Sequence, residues 1–184
     1  MKLEEISWDE TPEPFYFWVK PDGTFQNTKI FGGTYIVTPV DGPFVPISGD
    51  TLEIKGNTTV NFEVEPFLNL EILDIEQTGG NLDVHFRISR SFESFKITDA
   101  KIFISTTKFV GNSSFLNNKT GQILSPSVNL NSIPDEQILT ETHKLSVVGL
   151  EGGNRQYYLR VGARTNDNVQ RRYNYTEAVL ISVP

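Results

Sequence analysis

Leu145-Ser146-Val147-Val148-Gly149-Leu150-Glu151-Gly152-Gly153-Asn154-Arg155-Gln156-Tyr157-Tyr158-Leu159-Arg160-Val161-Gly162-Ala163-Arg164 decides the fold of this chain. It reads as a hydrophobic strand, a glycine-rich turn and a second strand of strict alternation. Tyr157, Leu159, Val161 and Ala163 fall on one face, while Tyr158, Arg160, Gly162 and Arg164 fall on the other, the period of two of a half-buried antiparallel strand. A tyrosine that opens such a strand buries its ring and returns its hydroxyl to the backbone of the preceding turn, as at the corner of a β-sandwich. Tyr157, Leu159 and Val161 are therefore expected in the core.

The same grammar runs outward in both directions. Turn signals at Thr11-Pro12-Glu13-Pro14, Pro21-Asp22-Gly23, Gly32-Gly33, Asp41-Gly42-Pro43, Ser48-Gly49-Asp50 and Gly56-Asn57 separate short β-rich runs at 3–8, 15–19, 24–31, 34–39, 51–55 and 58–64. Pro66 interrupts the series, and runs at 68–76, 82–89, 97–105, 142–148, 156–164 and 175–183 follow. No segment has a sustained helical period, so the expected class is all-β, two antiparallel β-sandwich domains at 1–66 and 67–184. Between 106 and 141 lies an Asn/Ser/Gly/Pro-rich stretch with room for one or two short elements. A helical turn at 134–139 is one of them, with Asp135 and Glu136 suited to its first turn.

Charge divides at the same place. Residues 1–66 hold four Lys/Arg against eleven Asp/Glu, whereas residues 67–184 hold twelve of each, so the whole net charge of −7 sits in the first third. An acidic surface repels phosphate backbones and anionic lipid, which argues against nucleic-acid binding. The chain has no cysteine, so disulfides and thiolate metal sites are excluded. No apolar run reaches the length of a membrane span, and Met1-Lys2-Leu3-Glu4-Glu5-Ile6 alternates like a strand and not like a signal-peptide core.

Two resemblances sharpen the reading. The leucine, glycine turn and Tyr157-x-Leu159-Arg160-Val161-x-Ala163 pattern closely resembles the E–F corner of fibronectin type III domains. In the first third, Asp22-Gly23-Thr24-Phe25, Ile30-Phe31-Gly32-Gly33-Thr34-Tyr35-Ile36-Val37 and Pro39-Val40-Asp41-Gly42-Pro43-Phe44 resemble the carboxypeptidase-regulatory-like, transthyretin-like sandwich, whose aromatics fill the core. With Thr51-Leu52-Glu53-Ile54 and Asn61-Phe62-Glu63-Val64-Glu65-Pro66-Phe67-Leu68 in the same order, essentially the whole chain looks like a two-domain Bacteroidetes family of unknown function. Its members are found among lipoproteins encoded beside starch-utilisation-type outer-membrane transporters. The resemblance implies a cell-envelope setting, as an outer-membrane lipoprotein or a periplasmic protein, with a polysaccharide or an outer-membrane uptake complex as partner. It brings no catalytic residues. It also implies a strand before residue 3 and a lipidated leader that this numbering lacks, so the first domain is expected without its first strand.

The residues offer little to an enzyme. His85 and His143 are the only imidazoles, both in strand-like runs, and His85 alternates outward from Val84 and Phe86. No serine elbow, cysteine or paired-histidine motif accompanies them, and a surface histidine is the simpler reading. Asp22, Asp41 and Asp50 each neighbour a glycine, and turn formation explains them better than calcium ligation. No cofactor, metal or catalytic group is expected.

Aromatic and cationic side chains are the binding candidates. In Phe15-Tyr16-Phe17-Trp18-Val19, Phe15, Phe17 and Val19 share a core-directed face, and Tyr16 and Trp18 share the other, as a sugar-stacking platform or a surface covered by another element. Trp8, beside Asp9 and Glu10, offers an indole N–H to a ligand. Arg160, Arg164, Arg171 and Arg172, with Tyr173 and Tyr175, form either a basic stripe that grips carboxylates or a solvated face with cross-strand ion pairs. The expected function is a non-catalytic accessory role in polysaccharide capture; the alternative is a structural or protein-interaction module.

Overall fold

A computed structural model describes residues 1–20, 22–91, 93, 95–167 and 172–184. The fold is all-β and divides into two compact units, Met1–Glu65 and Pro66–Pro184. The first contains one antiparallel sheet, β1 (Lys2–Glu5), β2 (Phe15–Tyr16), β3 (Gly33–Thr38) and β4 (Asp50–Ile54), in the order β2-β1-β3-β4. Leu3, Tyr35 and Val37 alternate onto one face and form its core with Met1. Phe17, Phe25, Ile30, Leu52, Ile54 and Phe62 pack against them.

Three of the expected runs here are not regular strands. Residues 24–31 and 58–64 form no strand, and only Phe15–Tyr16 of the run at 15–19 pairs. In the first case the sequence supplies its own competitor to the ladder: Asn27 accepts the backbone N–H of Lys29 through Oδ1 at 2.8 Å, and Asp22 does the same for Thr24 at 3.0 Å. The second layer of this unit is thus built of extended loops, with Phe25 and Phe62 in ring contact at 6.4 Å.

The second unit is a sandwich of two antiparallel sheets. One has three strands, β5 (Asn69–Thr78), β6 (Asn81–Ser89) and β9 (His143–Val147), in the order β5-β6-β9. The other has β7 (Ile97–Ser105), β8 (Ser127–Asn129), β10 (Arg155–Thr165), β11 (Tyr173–Tyr175) and β12 (Val179–Val183), in the order β11-β10-β7-β8 with β12 also on β10. Leu82, Val84, Phe86 and Ile88 from β6 are fully buried, as are Ala100, Ile102, Ile104, Leu159, Val161 and Ala163 from the larger sheet. Each large side chain so buried contributes about 1.5–3 kcal/mol, which makes this layer contact the main source of stability.

The turn before β10 has the expected corner geometry. Gly149 and Gly153 adopt left-handed φ of 82° and 85°, and the buried Tyr157 donates its hydroxyl to the Glu151 carbonyl at 3.0 Å. The helical turn also forms, as α1 (Asp135–Thr140) with Ile138 buried. Lys96 anchors its start, its ammonium donating to the Ile133 carbonyl at 2.7 Å and to Asp135, which also takes Arg90 at 3.1 Å. The run at 175–183 is broken in two because Thr176 uses its Oγ1 to accept the Val161 N–H at 3.1 Å, a bond the ladder would otherwise take. His85 points away from the core as its alternation predicts, half-buried beside Glu76 at 3.8 Å, and His143 donates from Nε2 to the Ile138 carbonyl at 2.7 Å, leaning on Phe86.

Replacing Tyr157 with Phe leaves the Glu151 carbonyl without its donor. The expected loss is about 1–3 kcal/mol, measured by denaturant unfolding of the whole chain.

Candidate functional site

Exposed aromatic surface concentrates in the first unit. Trp8 and Phe31 are 86% and 85% exposed and Trp18 is 85% exposed, values that leave each ring almost wholly in water. Strand register sorts them into two ends of one sheet. Beyond β1 and β3, Ile6 N–H donates to the Thr34 carbonyl at 2.8 Å and Thr34 N–H donates to Ser7 Oγ at 2.6 Å, so Trp8 follows directly on the last paired residue and Phe31 lies two residues before β3 at that same end. At the opposite end, Phe17 N–H donates to the Met1 carbonyl at 3.1 Å, placing Trp18 there with Tyr16 beside Lys2. Met1 to Ser7 along the strand spans about 20 Å at the usual rise per residue. Trp8 and Trp18 therefore do not make one platform.

The backbone beneath Trp8 and Phe31 is held by side-chain hydrogen bonds. Ser7 N–H donates to Glu5 Oε1 at 3.0 Å on one side of Trp8, and on the other Asp9 Oδ1 accepts the Thr11 N–H at 2.9 Å. The Tyr35 hydroxyl donates to the Phe31 carbonyl at 3.2 Å. Two large rings are thus mounted on fixed turns, which lowers the ordering cost of a contact made through them.

Phe31 was legible only as a core aromatic of the run 24–31. It faces water because the Asn27 turn breaks that run and lets Ile30, its neighbour, pack inward. The one sequence signal for it is its place directly before Gly32-Gly33. Phe15 and Val19, expected in the core with Phe17, are exposed, and Phe15 stacks on Phe17 at 6.3 Å. With β2 only two residues long, nothing carries their pleat onto the core.

The cationic candidates of the second unit have a different fate. Arg164 donates from Nε to Asp99 Oδ2 at 2.6 Å and lies over the Tyr173 ring at 4.8 Å, and the Tyr173 hydroxyl donates to Asp99 Oδ1 at 2.6 Å. Arg160 donates from Nε to the Thr176 carbonyl at 2.7 Å and lies over Tyr175 at 5.1 Å. Lys101 sits 3.9 Å from the Phe115 ring centre. These groups share the outer face of β7, β10 and β11, and Gly162 makes room for them: a Cβ there would meet Phe103, Tyr175 and Tyr173 at 2.9, 3.0 and 3.1 Å. The segment 106–126 closes over this face, hydrogen-bonding β7 from Leu116 N–H to the Ile104 carbonyl at 2.7 Å. Phe103, Val110 and Tyr173 are buried beneath it as a second small core. Tyr173, a stacking candidate from the sequence, is buried and offers no ring face to a ligand. Arg171 lies outside the described residues.

Among the described residues no group of three or more His, Asp or Glu is placed to hold a metal, and no helix is long and apolar enough to cross a membrane.

Residues 68–180 match the family model described as a domain of unknown function (DUF3823_C), and residues 1–65 match the protein of unknown function (DUF3823) N-terminal domain. The chain belongs to the DUF3823 family. Among solved structures it is similar to a DUF3823 family protein from Bacteroides uniformis, at 28% identity and a TM-score of 0.81 over 100% of this chain and 88% of that one. A DUF3823 family protein from Parabacteroides merdae is similar at 25% identity and a TM-score of 0.73, over 98% and 85%. A Bacteroides uniformis protein named "a putative carbohydrate binding protein" shares the fold at 23% identity and a TM-score of 0.72, over 98% and 86%. No curated protein matches.

In this DUF3823 protein the cation–aromatic face has a spectroscopic consequence. Burial pushes the phenols of Tyr173 and Tyr175 above their ordinary pKa of 10.0, and for Tyr173 the bond to Asp99 pushes the same way. Burial also raises Tyr35. A raised folded-state value means that the folded chain holds its phenolic protons longer than the unfolded chain. The associated stability is complete below about pH 10 and declines as pH rises further. Ultraviolet titration is expected to show Tyr35, Tyr173 and Tyr175 ionising above the range of a free phenol, and Asp99→Asn is expected to advance Tyr173.

Proposed function

We propose that this DUF3823 chain is a non-catalytic carbohydrate-binding protein of the cell envelope, presenting polysaccharide to an outer-membrane uptake system. The observation that carries the reading is the pair Trp8 and Phe31, almost fully exposed at one end of the first sheet on turns held by Glu5, Asp9 and Tyr35. Leaving two large rings in water forgoes about 1.5–3 kcal/mol of burial apiece, a cost that a sugar face stacked on them recovers. Asp9 and Glu10 beside the indole are acceptors for sugar hydroxyls. Trp18 and Tyr16 supply a second aromatic contact at the other end of the sheet.

The naming of one solved structure of the same fold for carbohydrate binding supports the reading. The envelope setting, the lipoprotein anchor and the transporter partnership rest on the family resemblance in the sequence. The domain types rest on the same ground, with the Tyr157 corner in support of a fibronectin type III-like second unit.

A protein-interaction role is the second reading, favoured by one observation: edge strand β2 leaves the neighbouring rings of Phe15 and Tyr16 exposed, apolar surface of the kind that marks a protein contact. Isothermal titration with plant, mucin and host-type polysaccharides separates the two. Binding is expected, weakened about tenfold or more, roughly 1.4 kcal/mol, in Trp8→Ala and Phe31→Ala, with a smaller loss in Trp18→Ala. Absence of binding to every polysaccharide, or full binding by all three folded variants, moves the assignment to protein interaction.

A further inference from the structure

We infer that the ligand of the Trp8 and Phe31 site is an uncharged polysaccharide, and that chains bearing uronate or sulfate groups are rejected. The inference rests on the carbohydrate reading above and adds the chemical class. Two independent observations converge on it.

The first is the field around the rings. The first unit has only four cations against eleven carboxylates, and two of those cations are already neutralised, Lys2 by Glu4 at 2.7 Å and Lys55 by Glu53 at 2.5 Å. Lys20 and Lys29 remain against nine further carboxylates. Glu5, Asp9, Glu10 and Glu13 are all within five residues of Trp8. At a screening length of about 8 Å in physiological salt, charges this close to the indole are felt at its face. A neutral sugar meets Asp9 and Glu10 as hydrogen-bond acceptors; a polyanion meets all four as like charges.

The second is the state of the arginines that were the candidates for gripping an acidic glycan. Arg164 is committed to Asp99 and to the Tyr173 ring, and Arg160 to the Thr176 carbonyl and the Tyr175 ring. Burial lowers the pKa of Lys101 on the same face, in keeping with its place against Phe115 and Phe103. To engage a carboxylate or sulfate, Arg164 would have to leave or share Asp99, and Arg160 the Thr176 carbonyl.

The experiment is isothermal titration of the whole chain against neutral glucan, mannan, xylan and galactan, and against polygalacturonate, alginate and chondroitin sulfate, at low salt and at about 0.5 M NaCl. Expected is binding to at least one neutral chain, changed less than about twofold by salt, and binding to the acidic chains at least about tenfold weaker. Glu13→Lys, at an exposed position outside the sugar contacts, is expected to leave neutral binding intact and to admit acidic chains. An acidic chain bound as tightly as any neutral one overturns the inference while leaving carbohydrate binding in place. Continued rejection of acidic chains by the charge-reversed variant overturns it as well, since the field is then not the cause. Binding to neither panel removes the carbohydrate reading itself and the inference with it.

Discussion

The pairing of β7 with β10 is the constraint on which the second unit depends. It runs from Tyr158 opposite Ser105 to Thr165 opposite Ile97, and it must satisfy two packing problems at once. Ala100, Ile102 and Ile104 meet Leu159, Val161 and Ala163 on the face turned to β5, β6 and β9, while Asp99, Lys101 and Phe103 meet Arg160, Gly162 and Arg164 on the other. The second face carries more aromatic volume than an ordinary solvent face, and the missing side chain at Gly162 is what lets the rings of Phe103, Tyr173 and Tyr175 close over it. Edge-on contacts of 5.1 and 5.5 Å join Phe103 to the two tyrosines, so the arginines above them lie on a rigid aromatic floor.

That arrangement makes the long polar stretch between β7 and α1 a structural part and not a spacer. Its residues 106–126 cover Phe103 with Val110 and Phe115, and Asn118 ties its end down by accepting the N–H groups of Leu124 and Ser125, each at 2.9 Å. Lys96, Arg90 and Asp135 then fix the crossing from one sheet to the other by charge-assisted bonds at the start of α1. Arg90, Lys96, Arg160 and Arg164 thus help hold this unit together.

The first unit distributes its chemistry the opposite way. Its core is small, a cluster of Met1, Leu3, Tyr35 and Val37 with loops in place of a second sheet, and the large rings of Trp8, Trp18 and Phe31 are left outside. A fold optimised for stability alone would cover them. They stand exposed beside turns held by side-chain hydrogen bonds, in the acidic third of the chain.

How much of this was legible follows from how local each cause is. The strands at 82–89 and 97–105, the Tyr157 corner and the short helix at Asp135 were readable because alternation, turn glycines and first-turn acids act within a few residues of themselves. The run 24–31 misled because a single Asn27 side chain diverted the backbone from the ladder, turning Ile30 in and Phe31 out. The exposure of Trp8 and Trp18, open to either reading in the sequence, and the capture of Arg160 and Arg164 depended on what came to lie beside them. By itself, then, the sequence determined an all-β chain, the strand faces of β6, β7 and β10 and the acidic first third, since these rest on period, turn chemistry and charge count. Only the tertiary structure decided which aromatics stay in water and which cations remain available, because Asp99, 65 residues from Arg164, and Thr176, 16 residues from Arg160, become partners only when β10 takes its place between β7 and β11.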